Sequence, residues 1–392
     1  MSIHSDIWRL PGPASFVRDV AAAADGRHVA AILPRKLASD QDYGDSLAAA
    51  LVDALPNGSR LYPWPTDGPL VQALGVQVAF DDPPVTVRRL ITHPDVAGRK
   101  FVCLASDLDE AHRTELVGFV GRLESESRTV PAAERGAFVV VTDRGHLPTY
   151  AGQERSEVAL ASVWYWNRIS RWDVAGLLNS HGADGGVDGV LREVRLETVI
   201  EVAKWDLDLA LRLAAEWDGS TAHLADLLAA GARDEGPLTA RRGRLDSRPP
   251  EALLDAWDRM MIDGWHGALA ASAALDVEDL DRRMWSAQAR VLLPWIELRR
   301  SALVREVERH LGPERWRRAI DDYCGSSSGV EGSDPLVEIG ALKRIVSGRI
   351  GGSSPALRDT TAALHRARND LAHLNSLPQA RLQNLVSTCE WL

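Results

Sequence analysis

The sequence predicts an α/β N-terminal domain, with a mostly parallel sheet, followed by an all-α C-terminal half that ends in a helical bundle. Two textures carry this. Up to about residue 180, continuous apolar runs alternate with helical stretches, the pattern of strands buried on both faces by crossover helices. Beyond about residue 190 the apolar residues recur at spacings of three and four. The length agrees: 392 residues exceed the roughly 100–200 of one domain.

Taken in order, His28–Leu33 (HVAAIL) reads as a buried strand and Asp45–Leu55 as a helix with Leu47, Leu51 and Leu55 on one face. Arg60–Trp64 is a weaker strand. Lys100–Leu104 (KFVCL) is a buried strand followed by a helix over Glu110–Leu123, Ala137–Thr142 (AFVVVT) is another, and Glu157–Trp164 is a fifth. The second half reads as helices at Leu191–Trp217, Thr221–Ala230, Pro250–Ala273, Val277–Leu311, Glu314–Tyr323, Leu336–Gly348 and Pro355–Leu374. Polar, Gly-bearing breaks at Gly231–Pro249, Gly325–Asp334 and Gly351–Ser354 mark loops or linkers. The expected domains are therefore residues 1–185, a helical middle region and linker at 186–264, and a bundle at 265–392.

Composition narrows the function classes. A net charge of −10 argues against a protein that coats nucleic acid over its whole surface, while leaving room for a local basic site. No run approaches the roughly 18 apolar residues of a membrane span, and MSIHSDIWRLPGP lacks a signal pattern, so the expectation is a cytoplasmic protein without membrane association. Cys103, Cys324 and Cys389 share no close spacing, so neither a metal cluster nor a disulfide framework is expected. Lysine occurs only at positions 36, 100, 204 and 343; with the many alanines, this points by association to a GC-rich bacterial genome. Most of the 13 tryptophans fall in helical patterns and read as core side chains.

A phosphate-binding loop needs Gly-rich backbone after a strand, then Lys and Ser/Thr at a helix start. HVAAIL is followed instead by PRKLASDQDYGDSLAAAL. Lys36 and Ser46 are too far apart to supply that pair, and Asp40, Asp42 and Asp45 would repel phosphates. FVCLASDLDE resembles a Walker B strand and AFVVVTDR the sensor strand that follows it. Residues 8–180 thus resemble, in architecture only, a degenerate P-loop domain of AAA or STAND type without a Walker A, for which ATPase activity is not expected and no cofactor is assigned. Asp107, Asp109 and Glu110 suit either metal binding or, preferably, a helix N-terminus whose dipole they complement.

The sharpest motif lies in the C-terminal helix. Ser354 and Pro355 are a good helix start, and Pro378 lies beyond its end. On a helical wheel Leu357, Thr361, Leu364, Arg368 and Leu371 share a stripe, so Arg368 must find a partner or an opening, because burying it unpaired is costly. Asn369 and His373, four apart, share a neighbouring face. An arginine that holds phosphate, an amide that orients and an imidazole that moves protons suit phosphodiester chemistry. RNA supplies its own nucleophile, the 2′-hydroxyl, so no metal is required.

Arg368-Asn369-Asp370-Leu371-Ala372-His373 resembles the R-x4–6-H motif of HEPN domains, with the common polar residue directly after the arginine. The resemblance implies a helical bundle over about residues 265–392, with Arg368 and His373 catalytic and Asn369 supporting. It also implies metal-independent endoribonuclease activity toward RNA in a bacterial conflict or antiviral defence system, a homodimer through the C-terminal half that completes the site, and operon-encoded protein partners. The alternative is a non-enzymatic scaffold subunit of a defence complex that uses both domains for protein binding; a nucleotide-triggered switch is a third.

Other features are weaker. His365 and His373 are eight apart, too far for the i, i+4 pair of a helical zinc site. His146 follows a strand end where functional loops gather, and His28 reads as structural. Arg241, Arg242 and Arg244 form a small basic cluster that reads first as a solvated loop.

Overall fold

The computed structural model describes residues 6–56, 60–64, 68–77, 86–105, 108–147, 160–182, 189–230, 247–265, 268–271, 277–324, 337–350 and 354–392. The chain divides into two compact units, Met1–Leu177 with Leu238–Ala271, and Leu178–Pro237 with Ser272–Leu392. Of the segment 186–264, residues 189–230 go with the second unit and 247–264 with the first. The basic cluster at Arg241, Arg242 and Arg244 and the break at 325–334 lie outside the described residues.

The first unit is built in the order α1 (Pro11–Ala23), β1 (His28–Leu33), α2 (Arg35–Ala38), α3 (Gln41–Ala54), β2 (Arg60–Pro63), α4 (Leu70–Gln77), α5 (Val87–Thr92), β3 (Lys100–Leu104), α6 (Glu110–Ser127), β4 (Ala137–Asp143), β5 (Leu160–Trp164) and α7 (Arg171–Ser180). Its five strands form one parallel sheet in the order β2-β3-β4-β1-β5. Every residue of β1 and β4 is buried, as continuous apolar runs require. The fifth strand begins at Leu160; Glu157 to Ala159 lie outside the described residues. Around β5, Trp8, Phe16, Tyr43 and Tyr165 pack edge to face, and the Tyr43 hydroxyl donates to that of Tyr165 at 3.1 Å. The buried Asp173 carboxylate accepts from the Gly12 N–H at 2.8 Å and from Ser170 N at 2.7 Å. A Cβ at Gly12 would lie 1.7 Å from the Arg168 carbonyl oxygen, so the start of α1 tolerates only glycine.

The helix expected at 250–273 is not what forms. A 3-10 turn (Glu251–Leu253) and the short α11 (Leu254–Asp258) lead into an antiparallel hairpin, β6 (Ile262–Trp265) and β7 (Ala268–Ala271); α8 to α10 belong to the second unit below. Strands therefore recur after residue 190, in a segment that belongs to the first unit. Met260 turns left-handed (φ 54°) and ends the helix. Asp263 then accepts from the N–H of Asn167 at 2.9 Å, and a Cβ at Gly264 would meet Asn167 Oδ1 at 2.6 Å. Docking on the β5 loop thus overrides the helical spacing.

The second unit contains α8 (Val190–Ala203), α9 (Leu207–Glu216), α10 (Thr221–Ala230), α12 (Val277–Leu311), α13 (Pro313–Cys324), α14 (Ile339–Arg349), α15 (Pro355–Ala372) and α16 (Gln379–Thr388). The single helix expected over 191–217 is broken, because Lys204 turns left-handed (φ 52°) and Asp206 caps α9 by accepting from Leu209 N. Helix α16 escaped the sequence reading. Leu292, Leu303, Val307, Leu342, Ile345, Leu364 and Leu371 are among the core side chains. Arg283, buried, donates to the Val202 carbonyl at 3.1 Å, and Arg290 pairs with Glu197 and Glu201 of α8. No helix among the described residues is long and apolar enough to cross a membrane.

His28 is structural, as expected. Its Nδ1 accepts from the Phe138 N–H at 3.0 Å, which leaves Nε2 to donate to Ser127 Oγ at 2.6 Å. Burial, then the nearby Arg135 charge, pushes its pKa down to about 3 from 6.5. The unfolded chain therefore binds the proton more tightly, and the stability His28 contributes is lost as pH falls from about 6.5 toward 3. His28→Ala should cost about 1–3 kcal/mol at pH 7 by orphaning the Phe138 N–H, and its deficit relative to wild type should shrink in urea denaturation repeated at pH 5 and 4. Asp263 runs the other way: burial raises its pKa to about 7, so its contribution is lost as pH rises through 7. Asp263→Asn should flatten stability against pH between 4 and 7 by the same assay.

Candidate functional site on helix α15

Helix α15 begins where the sequence places it. Ser354 Oγ accepts from Leu357 N, and Pro355 occupies the first turn. Its end is set by backbone geometry. His373 is the C-cap, Leu374 takes a left-handed φ of 62°, and Asn375 N donates to the Asp370 carbonyl at 3.0 Å while Leu374 N reaches that of Leu371. This is a Schellman ending with leucine where glycine is usual. The turn is pinned to α12: the buried Gln288 side chain accepts from Leu377 N at 2.6 Å and donates to the Leu377 carbonyl at 3.0 Å, and Trp285 Nε1 donates to the Leu371 carbonyl at 2.7 Å.

Leu357, Thr361, Leu364 and Leu371 are buried as expected, but Arg368 is exposed. The buried arc runs through Thr360, Ala363 and Ala367, which leaves Arg368 near its margin in the last turns, where the guanidinium keeps its hydration rather than entering the core. Arg368 has found an opening. Its Nη1 lies 3.5 Å from Asn369 Oδ1, and Asn369 Nδ2 lies 3.3 Å from His365 Nε2. Arginine is donor-only, so the Asn369 oxygen faces it and the amide nitrogen donates to the imidazole. That makes His365 Nε2 an acceptor, with the ring proton on Nδ1. Desolvation, then the charges of Lys343 and Arg368, hold the His365 pKa below 6.5.

The structure thus joins Arg368 to Asn369 and adds His365, which sequence reasoning weighed only as a zinc ligand. The signal was present in the i, i+4 spacing of His365 and Asn369. His373 is exposed and stands five residues from Arg368, about 140° around an ideal helix. The amide therefore orients an imidazole, but that of His365.

In the first unit, Asp40 caps α3 by accepting from Tyr43 N at 3.0 Å, and Ser46 Oγ accepts from Trp8 Nε1 at 2.9 Å. Lys36 is exposed on α2. Asp109 caps α6: the His112 N–H and ring bond to it and lower its pKa, and Glu110 sits in the first turn, so these two carboxylates serve a helix N-terminus. Asp107 lies outside the described residues. His146, buried in the turn after β4, has Nδ1 3.2 Å from both Thr142 Oγ1 and Asp143 Oδ2, and burial lowers its pKa against the pull of Asp143. Among the described residues no cluster of three His, Cys, Asp or Glu could hold a metal ion. Compared with family models, curated proteins and solved structures, the chain matches none.

Because Arg368 is one of the charges that keep His365 neutral, Arg368→Ala should raise the His365 pKa, as should Lys343→Ala. Titration of the His365 ring signals by NMR checks this; an unchanged midpoint in both variants would show that burial alone sets it.

Proposed function

We propose that the second unit is a HEPN-type, metal-independent endoribonuclease effector of a bacterial conflict or antiviral defence system, and that the first unit is a degenerate P-loop-like domain that regulates it without hydrolysing ATP. The observation that carries the reading is the placement of Arg368. An arginine near the margin of a buried stripe is open to solvent and joined to Asn369, so it is available to a phosphate rather than engaged in packing. The capping of α3 by Asp40 supports the silent ATPase, because a carboxylate occupies the helix start that a phosphate would need.

Arg368 would hold the scissile phosphate and offset its transition-state charge. His373 would exchange the proton of the 2′-hydroxyl or leaving oxygen, with Asn369 as a positioning residue. The wide angle between Arg368 and His373 on one helix favours a site completed by a second copy, hence a homodimer through the C-terminal half. A cytoplasmic location and operon-encoded partners belong to the same reading.

Arg368→Ala and His373→Ala should each lower RNA cleavage by roughly 10²–10⁴-fold, with Asn369→Ala milder. EDTA should have no effect, and products should end in a 2′,3′-cyclic phosphate or its opened form. Because Arg368 is exposed, its alanine variant should melt with wild type. Full activity in a stable Arg368→Ala protein refutes the assignment. A wild type inert on RNA, with its partners present too, makes the chain a scaffold.

A further inference from the structure

Between α15 and α16 lies a cleft of about 170 Å³, on the flank of α15 away from Arg368. Ala363, Ala367, Leu377 and Leu385 form an apolar floor, and Arg366, Asp370, Arg381 and Asn384 form the rim. Arg366 is exposed; Arg381 Nη1 holds the Asp370 carboxylate at 2.8 Å. The rim therefore carries two guanidinium groups against one carboxylate, and Asn384 supplies an amide that can both donate and accept.

We propose that this cleft binds one nucleotide of a single-stranded RNA, its base on the apolar floor and its phosphate on Arg366 and Arg381. This rests on the RNA reading of the second unit and adds a substrate subsite to it. Three features select the ligand. The volume falls below the roughly 300 Å³ at which pockets for whole small molecules begin, so it suits one planar group of a longer chain. Guanidinium groups stack on unstacked bases and hold their backbone charge, and the aliphatic floor offers a base an apolar face to lie against. Finally, Arg366 and His373 are seven residues apart, two helical turns or about 10.5 Å along one face of α15. A strand leaving the cleft along that face passes Asn369 and reaches His373. Polyglutamate would satisfy the arginines but has no ring for the floor.

The test is binding of the full chain to a fluorescein-labelled, unstructured 2′-O-methyl oligonucleotide, which cannot be cleaved, measured by anisotropy over a salt series. Arg366→Ala is the primary variant because Arg366 is exposed; its melting temperature should match wild type. It should weaken binding several-fold whatever the sequence, and reduce the slope of log K against log salt by about 0.7, the value for one lost phosphate contact on a single strand. Asp370→Asn removes the one rim carboxylate and should tighten binding. Unchanged affinity and slope in both variants would overturn the proposal, as would polyglutamate competing as well as unlabelled RNA. The two readings fail separately. If Arg366 controls binding while wild type cleaves no RNA, the cleft stands and the ribonuclease falls; if wild type cleaves RNA while Arg366→Ala binds normally, the reverse holds.

Discussion

The buried amide of Gln288 holds the connection that leaves α15, and the exposed face at the end of that helix depends on it. A glutamine suits the place because one side chain can accept from Leu377 N and donate to the Leu377 carbonyl. Both are backbone groups just past a helix end, where unsatisfied polar atoms are costly once buried. Trp285, one turn earlier on α12, takes the Leu371 carbonyl in the same way. With its last turn held at Leu371 and the connection beyond it held at Leu377, α15 can bury Leu364, Ala367 and Leu371 while Arg368 and His373 stay in water.

The two units treat charge differently. In open parallel sheets, ligands collect beyond the carboxyl ends of strands where the order reverses, which here is the end of β1 beside β4. That edge is filled by the protein's own groups. Arg35 stands 3.9 Å from Asp143, His146 leans on the same carboxylate, and Arg144 is held by Asp255 and by Asp258 at 2.5 Å. Each charge there is answered by a neighbour. Around Arg368 on α15 the polar groups instead bond among themselves at long range, 3.3–3.5 Å, and the guanidinium stays exposed.

The sheet was legible because strands covered on both faces are written as uninterrupted aliphatic runs, and HVAAIL and AFVVVT admit few other readings. The hairpin was not: Trp257, Met261 and Trp265 recur every four residues and imitate a helix, while the decisive contact, Asp263 to the Asn167 backbone, joins positions 96 apart. The break at Lys204 was hidden because a lysine in a left-handed conformation leaves no local mark, although Asp206 before an apolar run was a usable cap. The R-x4–6-H pattern could be read directly. The i, i+4 spacing offered Asn369 two imidazoles, His365 and His373; it could not choose between them, since that depends on how α14 crosses: Gly340 lies beside His365, and Lys343 biases its charge.

The left-handed leucine at position 374 has a consequence for how this chain can vary. Its side chain is 68% exposed, so no core packing offsets a conformation that costs a non-glycine residue roughly 1–2 kcal/mol. The reversal acts as a counting device, since everything before it is read backward from a fixed stop. One residue gained or lost between Arg368 and Leu374 would swing Arg368 about 100° around the axis, either into the core or onto the side of His373. In this fold the spacer between arginine and histidine is set by the end of the helix, so natural variants should change the identity of those intervening residues far more readily than their number.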